Sequence, residues 1–304
     1  MQARPVFPGT TRTTMRRCSQ RKFLMRPDAA AVQIFLYCLG EAALRFGMTV
    51  ILPTMMSNHE HIATYDPKGL FVEFKHRFHT HLARAMNAMR GHRENFWNTQ
   101  GATDTEIVSS DGFLDQLVYI AMNPVKAHLV ERVADWPGFN FVEALLDGRM
   151  IRVERPEAFF SKRGGLPDVV EFKLEIPPGL FGEPAELLAK LRTRIREEED
   201  ALIAERKKTG RRVLGAAGVL RQSWRESPAT EEKPSQFRPR IAAGHQDWAR
   251  LATIERNQAF ARAYRDARRR WLAGEDVEFP YGTYWLRRHT NVRVAAAPPL
   301  VAAA

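Results

Sequence analysis

The stretch MTVILPTMMSNHEHIATYD, residues 48–66, holds two β-rich runs, 48–56 and 59–65, separated by Ser57 and Asn58. Short runs of Val, Ile, Thr and Tyr bounded by turn residues form strands, and a two-residue break folds them into an antiparallel hairpin. Side chains on a strand alternate between faces, so His59 and His61 project to one side and Glu60 to the other. Two adjacent imidazoles are a workable pair of metal ligands. They are also what two polar residues on a wet strand look like, and an H-x-H pair alone does not separate the two. Glu60 sharpens the question, because a carboxylate on a core face costs several kcal/mol unless it is paired.

Outward from the hairpin, the Thr-rich GTTRTTMRRC (9–18) reads as a first strand, with Arg16 and Arg17 as cations within reach of Glu60. Apolar residues at helical spacing (Val32, Phe35, Leu36, Leu39, Ala43) and a closing Gly47 predict a helix over 27–47. A second amphipathic helix is expected over 69–91, a short strand at 105–109, and a third helix over 109–124, capped by Ser110 or Asp111 and stopped by Pro124. Strand, helix, strand, strand, helix, strand, helix is an α+β pattern: one antiparallel sheet backed by helices.

Past about residue 150 the texture changes. Loop-rich segments lead to a long charged helix (184–210), a proline-containing linker (227–240), a basic helix (247–275) and an aromatic segment expected to be extended (277–288). Two domains are therefore expected, 1–150 and a mainly helical 151–304. Charge follows the same division. Residues 201–304 hold 20 Lys and Arg against 10 Asp and Glu, while the first 200 hold 26 against 25. A basic appendage on a near-neutral body points to a polyanion, most often nucleic acid.

Two cysteines, Cys18 and Cys38, make neither a disulfide framework nor a zinc knuckle, and a reducing cytosol suits them. The arginines of RRCSQRKFLMRP (16–27) are not followed by an uninterrupted apolar stretch, as a targeting signal would require. No run approaches the roughly 20 apolar residues of a membrane helix, so a cytoplasmic protein without a membrane partner is expected.

The second chemistry-bearing stretch is LVYIAMNPVKAHLVERVADWPGFN (117–140), where Tyr119 and Asn123 lie one helical turn apart on one face. Taken with MSNHEH (56–61), YIAMNPVKAHLV (119–130) and the Asp135-Trp136-Pro137 segment resemble the single-tyrosine HUH transposases, in particular the REP-associated tyrosine transposase group. ARAMNAMRGHRENFW (83–97) is similar to that family's helix and following tryptophan. The resemblance covers about residues 5–145 and departs at two positions: Glu60 stands where a bulky apolar residue is usual, and Ser57 where proline is usual.

The resemblance implies a ferredoxin-like HUH nuclease domain, with His59, His61 and Asn123 as metal ligands and Tyr119 as nucleophile. It further implies cleavage of single-stranded or hairpin DNA through a 5′-phosphotyrosine link, assisted by Mg²⁺ or Mn²⁺, and rejoining without ATP. Imidazoles suit Mn²⁺ better than Mg²⁺. It also allows a homodimer in which one subunit's tyrosine serves the other's imidazoles. Arg16, Arg17, Arg211, Arg212, Arg268, Arg269, Arg287 and Arg288 are the candidate DNA contacts. Around the middle pair, ERKKTGRRVLGAAGVLRQSWR (205–225) reads either as a minimal helix-turn-helix or as a basic loop with a packing helix. Arginines interleaved with aromatics in 279–288 suit single-stranded DNA. Glu60 is also the main argument for a non-catalytic DNA-binding regulator of the same fold. An RNA-binding module lacks its glycine-aromatic strand signature. The histidines of the second helix (His76, His79, His81) and His92 are expected at solvent or near phosphate.

Overall fold

The structure is a computed structural model that describes residues 3–161, 163–230 and 240–297. Its first half runs β1 (Thr10–Arg17), α1 (Ala29–Phe46), β2 (Thr49–Met55), β3 (His59–Asp66), α2 (Phe71–Arg90), β4 (Thr103–Ile107), α3 (Ser110–Ala121), α4 (Asn123–Lys126) and α5 (Phe141–Leu146). The second half runs β5 (Met150–Glu154), β6 (Val169–Lys173), α6 (Pro184–Thr209), α7 (Ala216–Arg221), β7 (Ile241–Ala242), α8 (Asp247–Leu272), β8 (Glu278–Phe279), α9 (Trp285–His289) and β9 (Arg293–Val294).

The main sheet has the order β2-β3-β1-β4-β7. Its first four strands, with α1 and α2 as crossovers, give the βαββαβ arrangement of a ferredoxin-like fold. These strands pair antiparallel, as the alternation predicted, but β7 joins β4 in parallel, so the sheet is mixed. The fifth strand was not legible because it is two residues long and its partner lies some 135 positions earlier in the chain (Glu106 with Ile241). Pro53 sits inside β2 without harm because β2 is the sheet's outer strand, where a missing amide hydrogen breaks no ladder.

Local signals set the helix ends. Asp28 caps α1 through Ala31 N and Gly47 closes it in the left-handed conformation. Ser109, one residue before the expected cap, accepts from Gly112 N to start α3. Pro124 does not stop the chain's helical course; it sits at the start of the extra turn α4, where its missing N–H is not needed. By length and composition α1 could cross a membrane, against the expectation that no such run exists, yet most of it is buried here. Its Gly40 admits Phe172 and Val170 of β6 directly against the helix backbone.

The core continues across residue 150. Val170, Phe172, Leu187, Leu191, Ile195 and Val219 belong to the same buried cluster as Phe35, Phe78, Phe113 and Leu117. A smaller cluster of Ala267, Val277, Phe279 and Leu286 ties α8 to β8 and α9. The aromatic segment 277–288, expected to be extended, is strand only at Glu278–Phe279 and becomes helix at Trp285. Of the expected linker 227–240, residues 231–239 lie outside the described residues.

The β4–β7 junction leaves no room beside α3: a Cβ on Gly112 would stand 2.5 Å from Ala242 O and 2.7 Å from Ala242 C. Gly112→Ala is therefore expected to destabilise the fold by about 1–3 kcal/mol, as overpacking does, despite alanine's better helix propensity. Thermal unfolding checks this, and a midpoint at or above the parent's refutes the close approach.

Candidate active site

β3 carries out the alternation read from the sequence. His61 stands between Met15 of β1 and Thr54 of β2, and His59 pairs with Arg17 at the end of β1. Helix α3 lies across this face, anchored where Thr54 Oγ1 donates to Ile120 O at 2.9 Å. The next ring back on α3 is Tyr119, which is 46% exposed. Its ring lies 5.3 Å from that of His61, edge-on at 90°, and the His61 ring lies 5.1 Å from that of His59. Phenol and both imidazoles thus meet within one chain. Trp136 of the Asp-Trp-Pro segment supports the hairpin from outside by donating to Met55 O at 3.1 Å.

A chain of hydrogen bonds sets the state of His59. Asn58 Nδ2 donates to Arg21 O at 3.2 Å, which turns Asn58 Oδ1 towards His59 Nδ1, 2.7 Å away. An amide oxygen only accepts, so Nδ1 carries the proton and Nε2 keeps its lone pair. Nε2 faces Asn123 Oδ1 at 3.2 Å. In this amide orientation two acceptors face one another, an arrangement relieved by turning the amide so that Nδ2 donates to Nε2, or by a cation that both atoms coordinate. Fixing the far imidazole nitrogen by a neighbour is also how proteins orient metal-bound histidines.

Among the described residues no three His, Cys, Asp or Glu side chains group as metal ligands. The groups here that could hold a divalent ion are the His59 and His61 imidazoles and the Asn123 amide oxygen. Burial lowers His59 to about 4, with the nearby Arg17 adding to the effect and Asn123 opposing it. His61 is pushed well below its ordinary value by burial, by His59 and by Arg17. Both imidazoles are thus unprotonated at neutral pH, as ligands must be.

Behind them, Glu60 is fully buried. Its hydrogen-bond partner is His79 of α2, whose Nε2 lies 3.0 Å from Glu60 Oε1, while Arg16, opposite it on β1, acts on it through charge. Burial raises Glu60 well above the carboxylate range, against the pull of Arg16, and lowers His79 well below the imidazole range. The state burial favours is a neutral carboxyl donating to a neutral imidazole. Trp97 Nε1 donates to His79 O at 3.0 Å and holds that side of α2 in place.

These facts correct several expectations. His79 is 2% exposed and faces the core, not solvent. Arg16 lies on the Glu60 face, its guanidinium 4.9 Å from the Trp97 ring centroid, so its cation is turned away from the imidazole face. Arg17 remains beside the imidazoles. Arg211 and Arg212 are exposed just beyond α6. Arg268 and Arg269 are exposed on α8, where Arg269 pairs with Asp266, and Arg288 of α9 pairs with Glu73 in the first turn of α2. Arg287 is exposed beside it. Glu73 and the start of β1 lie at the opposite end of the sheet from His59, so the α8–α9 arginines do not border the imidazoles. Asn58 was not singled out beforehand, though it was visible as the residue before His59, and His79 was named only among the histidines expected at solvent or near phosphate, since nothing local marked it as Glu60's partner.

A scan against protein-family models finds no match, and no curated protein matches. Among solved structures, the chain is similar to a REP-associated tyrosine transposase bound to a REP hairpin, with 18% identity over 47% of this chain and 83% of that one, at a TM-score of 0.39. It is also similar to a crystal structure from Deinococcus radiodurans R1 described as a "putative transposase", with 14% identity over 34% of this chain and 83% of that one, at a TM-score of 0.27. Likenesses this remote leave the chemistry to be judged on the site itself.

Two outcomes follow from the buried groups. His59 and His61 take up protons far less readily folded than unfolded, so their contribution to stability is full above about pH 6.5 and falls as pH drops towards 4. Glu60 and His79 share one proton when folded and hold one between about pH 4.5 and 6.5 when unfolded, so they cancel in that window. The slope should approach ~1.4 kcal/mol per pH unit per imidazole. Urea unfolding with a chelator present, from about pH 6.5 to 4.5, checks it, and a His61→Asn variant that keeps the parent's slope contradicts it. Separately, Glu60→Leu should cost about 1–3 kcal/mol by orphaning His79. Adding His79→Phe should recover part of that loss, and strictly additive costs would show that the two side chains do not interact.

Proposed function

We propose that this chain is a metal-dependent DNA nuclease and strand transferase of the single-tyrosine HUH type, acting on single-stranded or hairpin DNA. One observation carries the reading: His59, His61, Asn123 and Tyr119, drawn from β3, α4 and α3, meet at one spot within one subunit, where the imidazoles are sheltered and Tyr119 alone is exposed. A divalent ion held by the two imidazoles and the Asn123 amide supplies neutralising charge and a template for the scissile phosphate.

The chain's own residues do the rest. Tyr119, exposed at the edge of the imidazole pair, attacks phosphorus with its phenolic oxygen. The new bond joins that oxygen to the 5′-phosphate, the bond to the 3′-oxygen breaks, and the phenolic proton is lost as the 3′-oxygen gains one. The phosphodiester's energy stays in the phosphotyrosyl link, so a 3′-hydroxyl reverses the step without a nucleotide cofactor. We assign Arg17, whose charge acts on both imidazoles, to the same phosphate.

The rival reading, a DNA-binding regulator without turnover, leaned on Glu60. With Glu60 paired to His79 on the hidden face, that residue no longer argues against a working imidazole face. The test is a denaturation-resistant protein–DNA adduct formed on single-stranded hairpin DNA with Mn²⁺ or Mg²⁺. It should appear with the parent and vanish with chelator or with Tyr119→Phe. Tight binding without an adduct under any of these metals would favour the regulator.

A further inference from the structure

We propose that residues 207–225 form a basic collar that grips the phosphates of the single strand leading into the imidazole–tyrosine site. The proposal rests on the nuclease reading for its substrate, but its own evidence is separate. Lys207, Lys208, Arg211, Arg212, Arg221 and Arg225 fall in this stretch, which contains no acidic residue. All six are exposed.

The fold holds the collar against both halves of the site. At its start, Arg206 is buried and donates through Nη2 to Val125 O at 2.6 Å and through Nε to His128 Nδ1 at 3.3 Å. Leu214 N and Gly215 N then donate to His128 O (3.1 Å) and Leu129 O (2.8 Å). These acceptors follow directly on α4, which begins at Asn123. Val219 of α7 is fully buried, so the segment is a loop pinned by a packing helix, not a free recognition helix.

At its far end the chain grips the loop that orients His59. Arg26 Nη1 donates to Gln222 O at 2.9 Å, Phe23 N to Glu226 O at 2.9 Å, and Ser227 Oγ to Gln20 O at 2.7 Å. Arg21 donates to Thr230 O at 2.6 Å, and its own carbonyl accepts from Asn58. Gln20 and Arg21 both have left-handed φ values, 52° and 57°. Such strain in non-glycine residues persists only where neighbours enforce it, and the segment after the collar supplies that hold. The basic stretch therefore spans from the Asn123 turn to the Asn58–His59 turn.

Leu214 and Leu220 stand 45% and 40% exposed among these cations, and Trp224 lies under Arg225, its ring centroid 4.8 Å from the guanidinium carbon. Cations interleaved with apolar and aromatic surface suit unpaired bases and their phosphates better than a smooth duplex. The arginines of α8 and α9 offer a built-in comparison. Arg256 of α8 pairs with Glu106 beside the start of β1, and Arg288 pairs with Glu73, whereas His59 lies opposite Arg17 at the end of β1. An eight-residue strand spans about 25 Å, so these arginines serve a different end of the molecule.

The test compares two variants by fluorescence anisotropy, both in a Tyr119→Phe background so that no covalent adduct intrudes. The probe is a labelled hairpin with a single-stranded flank, titrated at several salt concentrations. Each lost phosphate contact lowers the salt slope by about 0.7 for a single strand. Neutralising Lys207, Lys208, Arg211 and Arg212 to Gln should weaken binding at least ~10-fold and reduce the slope by about 3. The far-end variant Arg268→Gln/Arg269→Gln/Arg287→Gln should stay within about twofold of its parent. An unchanged slope in the collar variant, or an equal loss in the far-end variant, overturns the proposal. If the parent forms no adduct yet binding still depends on the collar, the nuclease reading fails and the collar stands. If the adduct forms but the collar variant binds normally, the collar alone fails.

Discussion

The 3.0 Å contact between the Glu60 carboxyl and His79 Nε2 holds the start of β3 against α2. A strand that sends His59 and His61 outward must send Glu60 inward, because the alternation is a property of the backbone and not of the residues on it. An unpartnered carboxylate there would favour a slipped register, and a one-residue slip would turn both imidazoles away from Tyr119 to the α2 face. With His79 opposite, the pair is satisfied as neutral groups and the imidazole face keeps its place. Lys75, Asp104 and Arg16 surround the pair, so this part of the interior is a polar network standing where an apolar layer would do.

The same backbone logic orders the outward face. Asn58 is turned by the Arg21 carbonyl and His59 by Asn58, so the lone pair of His59 Nε2 is aimed at Asn123 by the protein itself. Preorganisation of this kind lowers the cost of binding a metal or a phosphate, since the groups need not be ordered at that moment. The strained turn at Gln20 and Arg21 ends the chain of hydrogen bonds that fixes His59.

The second half of the chain is built into the first. β7 extends the sheet, α6 lies along α3 with Arg194 pairing to Asp115 and Lys126 to Glu198, and the hairpin β5–β6 covers α1. Its cations are nonetheless not equivalent. Those of the collar sit between the turns that hold Asn123 and His59, and those of α8 and α9 sit at the sheet's other end. Net charge alone announces a polyanion but does not say which surface meets it.

What the sequence determined by itself was local. Alternation put His59 and His61 on one face, helical spacing put Tyr119 and Asn123 on another, and the order of strands and helices defined the α+β class, because each rests on neighbours within a turn or a pleat. Long-range partners were decided only by the tertiary structure. The pairing of Glu60 with His79, the parallel seat of β7 on β4, the inward turn of Arg16 and the wrapping of residues 207–230 around the site all join segments 19 or more positions apart. Such contacts follow from which surfaces pack together, and no local period in the chain encodes them.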